Sequence, residues 1–285
     1  MTDLGKSVGG PIIALLDRKL LGRGAAVHRR QFRLFCIGWW LFSALNAFAS
    51  PPDSHGSCSR IFMAIFPFQT VGDDELERLA KPDLSPNAKL PSNPKVRREH
   101  LAGQIATAAL LKAVGHENTH VEYDPQFGFP RVVPSDPRLH LSITHTNNLA
   151  VAVLAPSPVG VDVEKVGRPV ATALTTATTP SEHAQAVGTQ LAVPGGNIPG
   201  TVALWVAKEA LSKAIGIGGR KGFVGFHIPL QTPLPLTPLG KYPEGPMSLQ
   251  EPGISLLRWQ DYGIGVASEL PLLKQGVDRL IVQPQ

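Results

Sequence analysis

"VGVDVEKVG", residues 159–167, places two carboxylates, Asp162 and Glu164, inside an otherwise apolar run. The alternation of Val161 and Val163 with the two acids reads as a β-strand, in which residues two apart point to the same face. Asp162 and Glu164 therefore stand side by side. Adjacent carboxylates repel unless something positive lies between them, so the strand asks for a cation or a basic partner.

Working outward, the flanking text alternates strands and helices. Upstream, "LHLSITH" sets Leu139, Leu141 and Ile143 against His140, Ser142 and Thr144, as a half-buried strand does. "TNN" (146–148) supplies turn residues and "LAVAVLA" a second strand. Further upstream, "MAIFPF" is a short strand, 72–94 is polar loop with a short helix, and "NPKVRREHLAGQIATAALLKAVG" is a helix ended by Gly115. Downstream, one short helix is expected around "SEHAQAV", then the clearest helix of the chain, "VALWVAKEALSKAIG". Residues 228–253 hold seven prolines and read as an irregular excursion, before "ISLLRWQ" and "YGIGVASE" close as two strands. The elements fall into two comparable sets, which predicts an α+β protein of two similar halves, 63–156 and 157–285.

Composition narrows the function. A chain of 285 residues has ample length to bury a core. Its formal charge of +5 is carried entirely by residues 1–62, where eight Lys and Arg meet three acids; residues 63–285 are neutral. A neutral body argues against a nucleic-acid footprint. Both cysteines, Cys36 and Cys58, lie in the same first 62 residues, so the body has neither thiol chemistry nor a disulfide.

Residues 1–62 form an extension of their own. A basic stretch precedes a 16-residue apolar run, Leu34 to Ala49, which ends Ala-Phe-Ala before Ser50. That is the grammar of a secretory signal, and it is short for a transmembrane helix. A membrane anchor, or a native start at Met63, would equally produce it.

Two constellations compete for the chemistry. On the helix of "WVAKEALSK", Trp205, Lys208, Glu209 and Lys213 recur at i, i+3, i+4 and i+8 and make one stripe. Taken alone, Glu209 and Lys213 are a surface ion pair worth a few tenths of a kcal/mol. Taken with Asp162 and Glu164, Glu209 completes an all-oxygen set suited to Mg²⁺ rather than zinc, with lysines beside it to meet phosphate. The rival is "HENTH", where His116 and His120 would bind zinc on a helix with Glu117 as base, as in a metalloprotease. Gly115 ends the preceding helix and "HVEYDP" enters a strand, so the two histidines would not lie one helical turn apart. "GIGGRKG" (216–222) follows a helix, the reverse of the order a phosphate-binding loop needs.

The order of these elements resembles the 4′-phosphopantetheinyl transferase superfamily, of the surfactin-synthetase-activating type. "VGVDVE" followed about forty residues later by "WVAKEALSK" is similar to its bipartite signature, and "LSITHTNNLAVAV" to its serine-histidine-serine strand and turn. The resemblance covers roughly residues 61–272. It implies a pseudo-twofold α+β fold with coenzyme A between the halves. It further implies transfer of the phosphopantetheine arm to a serine of an acyl or peptidyl carrier protein, releasing adenosine 3′,5′-bisphosphate. Asp162, Glu164 and Glu209 match the residues that hold Mg²⁺ there. Lys213 and Lys208 would stabilise phosphate charge, His145 would touch the nucleotide's phosphates, and Glu182 in "TPSEHAQA" would be the base for the carrier serine.

The resemblance also carries departures. Phe129 in "FGFPRV" stands where the family often has lysine, the histidine is flanked as Thr144-His145-Thr146, and the usual arginine of the first helix has no counterpart. Nucleotide grip would then fall to Lys95, Arg97, Arg98 or Arg131, Arg98 foremost. The same departures favour, as an alternative, a non-catalytic descendant that binds coenzyme A or a carrier. Two halves in one chain imply a monomer. Cytosolic coenzyme A implies a cytoplasmic body, and with it a start at Met63 ahead of an anchor.

Overall fold

A computed structural model describes residues 60–85, 90–126, 128–136, 138–146, 148–218, 223, 227–228, 230, 237–238 and 247–283. All of these belong to one unit, 51–285. The apolar run 34–49 and the expectations attached to it lie outside the described residues. Among the described residues no helix is long and apolar enough to cross a membrane.

Two four-stranded sheets face one another. The first has the order β12-β1-β5-β4, made of β1 (Ile61–Pro67), β4 (His140–Thr146), β5 (Leu149–Ala155) and β12 (Val277–Ile281). The second has the order β6-β11-β10-β9, made of β6 (Gly160–Lys165), β9 (Thr237–Pro238), β10 (Pro252–Trp259) and β11 (Tyr262–Glu269). The period-2 rule assigns their faces. Ile61, Met63 and Ile65 of β1 join Val151 and Val153, and pack against Val161, Val163, Ile264 and Val266 between the sheets. Ala64 and Phe66 turn the other way, toward a long helix. With an apolar layer on both faces, β5 is buried at every position and reads as the continuous run "LAVAVLA".

One helix covers each outer face. Helix α2 (Pro94–Ala113) begins where the side chain of Asn93 accepts the backbone N–H groups of Lys95 and Val96, with Pro94 in the first turn. Leu101, Ala106 and Leu110 lie on the first sheet. Helix α5 (Gly200–Ala214) lays Leu204, Ala207 and Leu211 on Ile254, Leu256 and Ala267 of the second. Each such Leu or Ile side chain contributes about 1.5–3 kcal/mol by leaving water. Shorter pieces complete the fold: α1 (Asp73–Ala80) with a 3₁₀ turn, α3 (Ala171–Ala177), α4 (Pro180–Ala186), α6 (Leu270–Gln275), and the hairpins β2–β3 (His120–Tyr123, Pro130–Val133) and β7–β8 (Gln190–Val193, Gly196–Pro199).

The α+β class and the main elements match the sequence reading. Several particulars differ. Strand β1 begins at Ile61, so a boundary at 62/63 falls inside it. Strand β12 was not foreseen: it pairs in parallel with β1, Met63 opposite Arg279, and carries the last described segment back into the first sheet. Residues 170–200 hold two helices and a hairpin rather than one short helix. Strand β4 is not half-exposed, because Ser142 and Thr144 are buried and hydrogen-bonded to β6.

Candidate functional site

Helix α5 lies directly on β6, and Gly160 is the reason. A Cβ at that position would fall on the Ala210 carbonyl oxygen and lie 2.5 Å from Ala214 N. Only glycine lets the helix backbone approach this closely. Gly160, Asp162 and Glu164 share the face of β6 opposite to Val161 and Val163. The two acids thus point toward the helix that carries Glu209 and Lys213, and all four line a cleft of about 640 Å³.

The charges in this cleft are arranged unevenly. Asp162, 7% exposed, accepts from Thr144 Oγ1 at 2.9 Å and Lys213 Nζ at 2.7 Å, both on Oδ1. Lys213 Nζ also donates to the Val161 carbonyl at 3.0 Å. Glu164, 4% exposed, accepts the Lys165 N–H on Oε1 and the Arg168 guanidinium on Oε2, each at 2.8 Å. Burial pushes its carboxyl upward, against the pull of Lys165 N–H and Arg168. Glu209 stands apart: burial, then the Asp162 charge, push its carboxyl from 4.5 to about 7, and Lys213 offsets this only in part.

Among the described residues, no group of three His, Cys, Asp or Glu side chains is drawn together closely enough to hold an ion as it stands. The donor chemistry nonetheless fits a hard divalent cation. Every donor is a carboxylate oxygen, and Glu209 and Asp162 repel one another in a way such a cation relieves.

A second cavity, about 260 Å³, adjoins the cleft across Ile143, His145 and Lys213. Its outer wall is aromatic, with His100 and Tyr123 tilted at 5.9 Å and Phe129 beside them. The Arg131 guanidinium lies 4.9 Å over the Phe129 ring and pairs with Asp124. Burial lowers the pKa of His145, chiefly against the opposing pull of Glu99, whose Oε2 lies 3.5 Å from Nδ1.

Residues 158–244, which contain β6, the acid pair and all of α5, match the family model described as 4′-phosphopantetheinyl transferase superfamily. By sequence, this segment is similar to that superfamily. The chain is also 33% identical over 136 residues to enterobactin synthase component D of Escherichia coli O157:H7, and equally to that of Shigella flexneri. The protein of the same description from Escherichia coli strain K12 is 32% identical. Each match takes in 47% of this chain, which spans 62% of the length of the relatives it matches.

Not every residue singled out from the sequence reaches the cleft. Asp162, Glu164, Glu209 and Lys213 do, and His145 meets them from β4. Lys208 and Glu182 go elsewhere. Lys208 is fully buried and donates to Glu182 and to the Phe223 carbonyl, so α5 sends its two neighbouring charged residues to opposite places. Glu182 closes a capping box with Thr179 at the start of α4 and accepts Ile228 N–H. Burial raises its carboxyl, and the hydrogen bonds from Thr179, Lys208 and Ile228 together bring it below its ordinary value.

Arg98 is likewise committed outside the cleft, to the Phe68 and Val71 carbonyls and Asp73, where it ties the entry of α1 to α2. Arg97 pairs with Glu77, and only Lys95 of the four basic candidates lines the cleft. His116 lies past the end of α2, in the connection to β2, and His120 opens β2, so the "HENTH" histidines do not share a helix face. The loop 216–222 is described only to residue 218.

Three cleft residues escaped the sequence reading. Arg168 follows Glu164 by four residues across a turn, a spacing at which a basic residue can fold back on the acid. Glu99 is the one acid among "KVRREH". Thr144 looked like a solvent-facing strand residue, and no local pattern reveals that β6 covers it.

Proposed function

We propose that the chain transfers the 4′-phosphopantetheine arm of coenzyme A to a serine of an acyl or peptidyl carrier protein, with Mg²⁺ as cofactor. The observation that carries this reading is the convergence of Asp162 on β6 with Glu209 and Lys213 on α5, inside one cleft and within the segment of the superfamily match. The serine oxygen would form a bond to the phosphorus nearer the pantetheine. The pyrophosphate bond would break, and adenosine 3′,5′-bisphosphate would leave.

Asp162, Glu164 and Glu209 are the residues that would hold the metal, which when bound supplies charge neutralisation at the pyrophosphate. The other roles belong to side chains. Lys213, fixed by Val161 and Asp162, presents a cation to the phosphates at no reorganisation cost. Thr144 fixes the rotamer of Asp162. His145, whose pKa burial lowers, lies between the polar cleft and the aromatic cavity and lines both. Glu182 is too deeply placed to accept the serine proton, and we assign it a structural part.

The remaining readings join this proposal. The chain is two similar halves related by a pseudo-twofold axis, the first starting at Ile61 rather than 63, with β12 lent back to the first sheet. In support, each four-stranded sheet is backed by one long helix. The enzyme acts as a cytoplasmic monomer. One observation favours a second reading: where the family often has a lysine, Phe129 forms an aromatic wall, and Arg98 is committed to backbone carbonyls. A coenzyme A-binding protein without turnover would have this weakened grip.

The test is to incubate the full chain with coenzyme A, Mg²⁺ and a panel of apo carrier proteins and read intact mass. One added phosphopantetheine, lost in Asp162→Ala and Glu209→Ala, is the expected result. Coenzyme A binding without any modified carrier would establish the second reading instead.

A further inference from the structure

We infer that Arg168 is an internal counter-ion, which keeps the Glu164 carboxylate from a divalent cation until a phosphate-bearing ligand draws the guanidinium away. The inference rests on the carboxylate site proposed above. Three observations lead to it.

The two partners are unequal. The Glu164 side chain is 5% exposed and the Arg168 side chain 63% exposed, so the acid is fixed in the cleft wall and the base reaches in from the rim. Arg168 is brought back over Glu164 by the turn after β6, in which Arg168 N–H donates to the Lys165 carbonyl at 3.0 Å and Val166 N–H to Asp261 at 2.7 Å.

Both oxygens of Glu164 are engaged, Oε1 by Lys165 N–H and Oε2 by Arg168. The backbone N–H is part of the strand end and stays. The guanidinium is the exchangeable partner, because its own end of the pair is solvated at the rim. Asp162 and Glu209 differ: among the described residues only Oδ1 of Asp162 is hydrogen-bonded, and no side-chain hydrogen bond engages the Glu209 carboxylate.

A guanidinium released at the rim of a cleft that also holds Lys213 and Lys95 meets the phosphate oxygens of any ligand there. Its planar fork suits them better than it suits a single carboxylate oxygen. Cation and phosphate ligand then favour one another's binding by linkage, since each stabilises the arrangement in which Arg168 has left Glu164. The device discriminates against the bare cation and in favour of the cation with its nucleotide.

Calorimetric titration of Mg²⁺ into the full chain, alone and with coenzyme A, tests this without any turnover. In the native protein, coenzyme A is expected to tighten Mg²⁺ binding. Arg168→Gln should tighten binding of Mg²⁺ alone by about two- to fivefold, the size of a weak ion pair with one solvated partner. It should also shrink the enhancement by coenzyme A. In a Glu164→Gln background the same substitution should change Mg²⁺ binding little. Unchanged or weaker Mg²⁺ binding in Arg168→Gln overturns the inference while leaving the site intact. So does equal tightening with and without Glu164, which would report only the long-range field of a removed charge. Absence of Mg²⁺ binding in the native protein under both conditions overturns the carboxylate site itself, and the inference with it.

Discussion

Lys208 Nζ lies 3.0 Å from each carboxylate oxygen of Glu182, and neither side chain has any exposed surface. The pair joins α5 to α4, and through the Phe223 carbonyl and Ile228 N–H it holds residues that follow α5. Removing one member leaves the other charged in the core. Glu182→Ala should therefore cost about 3–5 kcal/mol in urea denaturation, while the double change Glu182→Leu with Lys208→Met should cost markedly less. Glu182→Gln keeps the shape, and if folded it should retain carrier modification with an unshifted pH profile. Loss of transfer in a folded Glu182→Gln protein would restore Glu182 as the base.

Glu209 makes stability depend on pH in a definite direction. Its carboxyl moves from 4.5 to about 7 through burial and the Asp162 charge. Well below 4.5 it is protonated in folded and unfolded chains alike and has no effect. Between 4.5 and about 7 the folded state retains a proton that the unfolded state has lost, so stability falls as pH rises and then levels off. Glu209→Gln should raise metal-free stability by roughly 1–2 kcal/mol at pH 8, after discounting for partial exposure, and by little at pH 4.5. Thermal melts at the two pH values check this.

Gly160→Ala tests the seating of helix on strand. The added methyl would collide with Ala210 and Ala214 backbone, which cannot rotate away as a side chain tip could. A loss of about 2–3 kcal/mol is expected by denaturation. Because the methyl separates α5 from β6, Mg²⁺ binding should weaken even where the protein remains folded.

Lys213→Met separates chemistry from stability. The lysine is partly exposed and its two bonds, to Val161 and Asp162, contribute about 1 kcal/mol or less to folding. Its charge at the phosphates is worth more, and transfer should slow by about 10²–10³-fold. Rates by carrier mass shift and melting by calorimetry separate the two effects.

Much of the fold is legible in short windows. "LAVAVLA" and "YGIGVASE" are strands because their β-branched and small residues pack on a pleated surface, and Asn93-Pro94 announces a helix start by capping chemistry alone. A turn signal lies in the same kind of short window. "QLAVPGGNIP" places Pro194-Gly195 between two short apolar runs, and the structure forms a hairpin there, with Gly195 at φ +91 and no room for a Cβ against the Arg258 carbonyl.

The sequence by itself determined the acids, their spacing and their face: Asp162 and Glu164 point one way because a strand alternates, and Glu209 and Lys213 lie one turn apart because a helix repeats. Which of the charged residues would share a cleft was decided only in three dimensions. Thr144 looks outward until β6 closes over it, Lys208 and Glu209 are adjacent in the chain yet face a buried partner and a cleft, and β12 finds β1 across more than two hundred residues. Local periodicity sets the direction of a side chain relative to its own backbone. What lies in that direction is set by how sheets and helices stack, and a desolvated charge such as that of Lys208 is fixed by the partner that packing delivers.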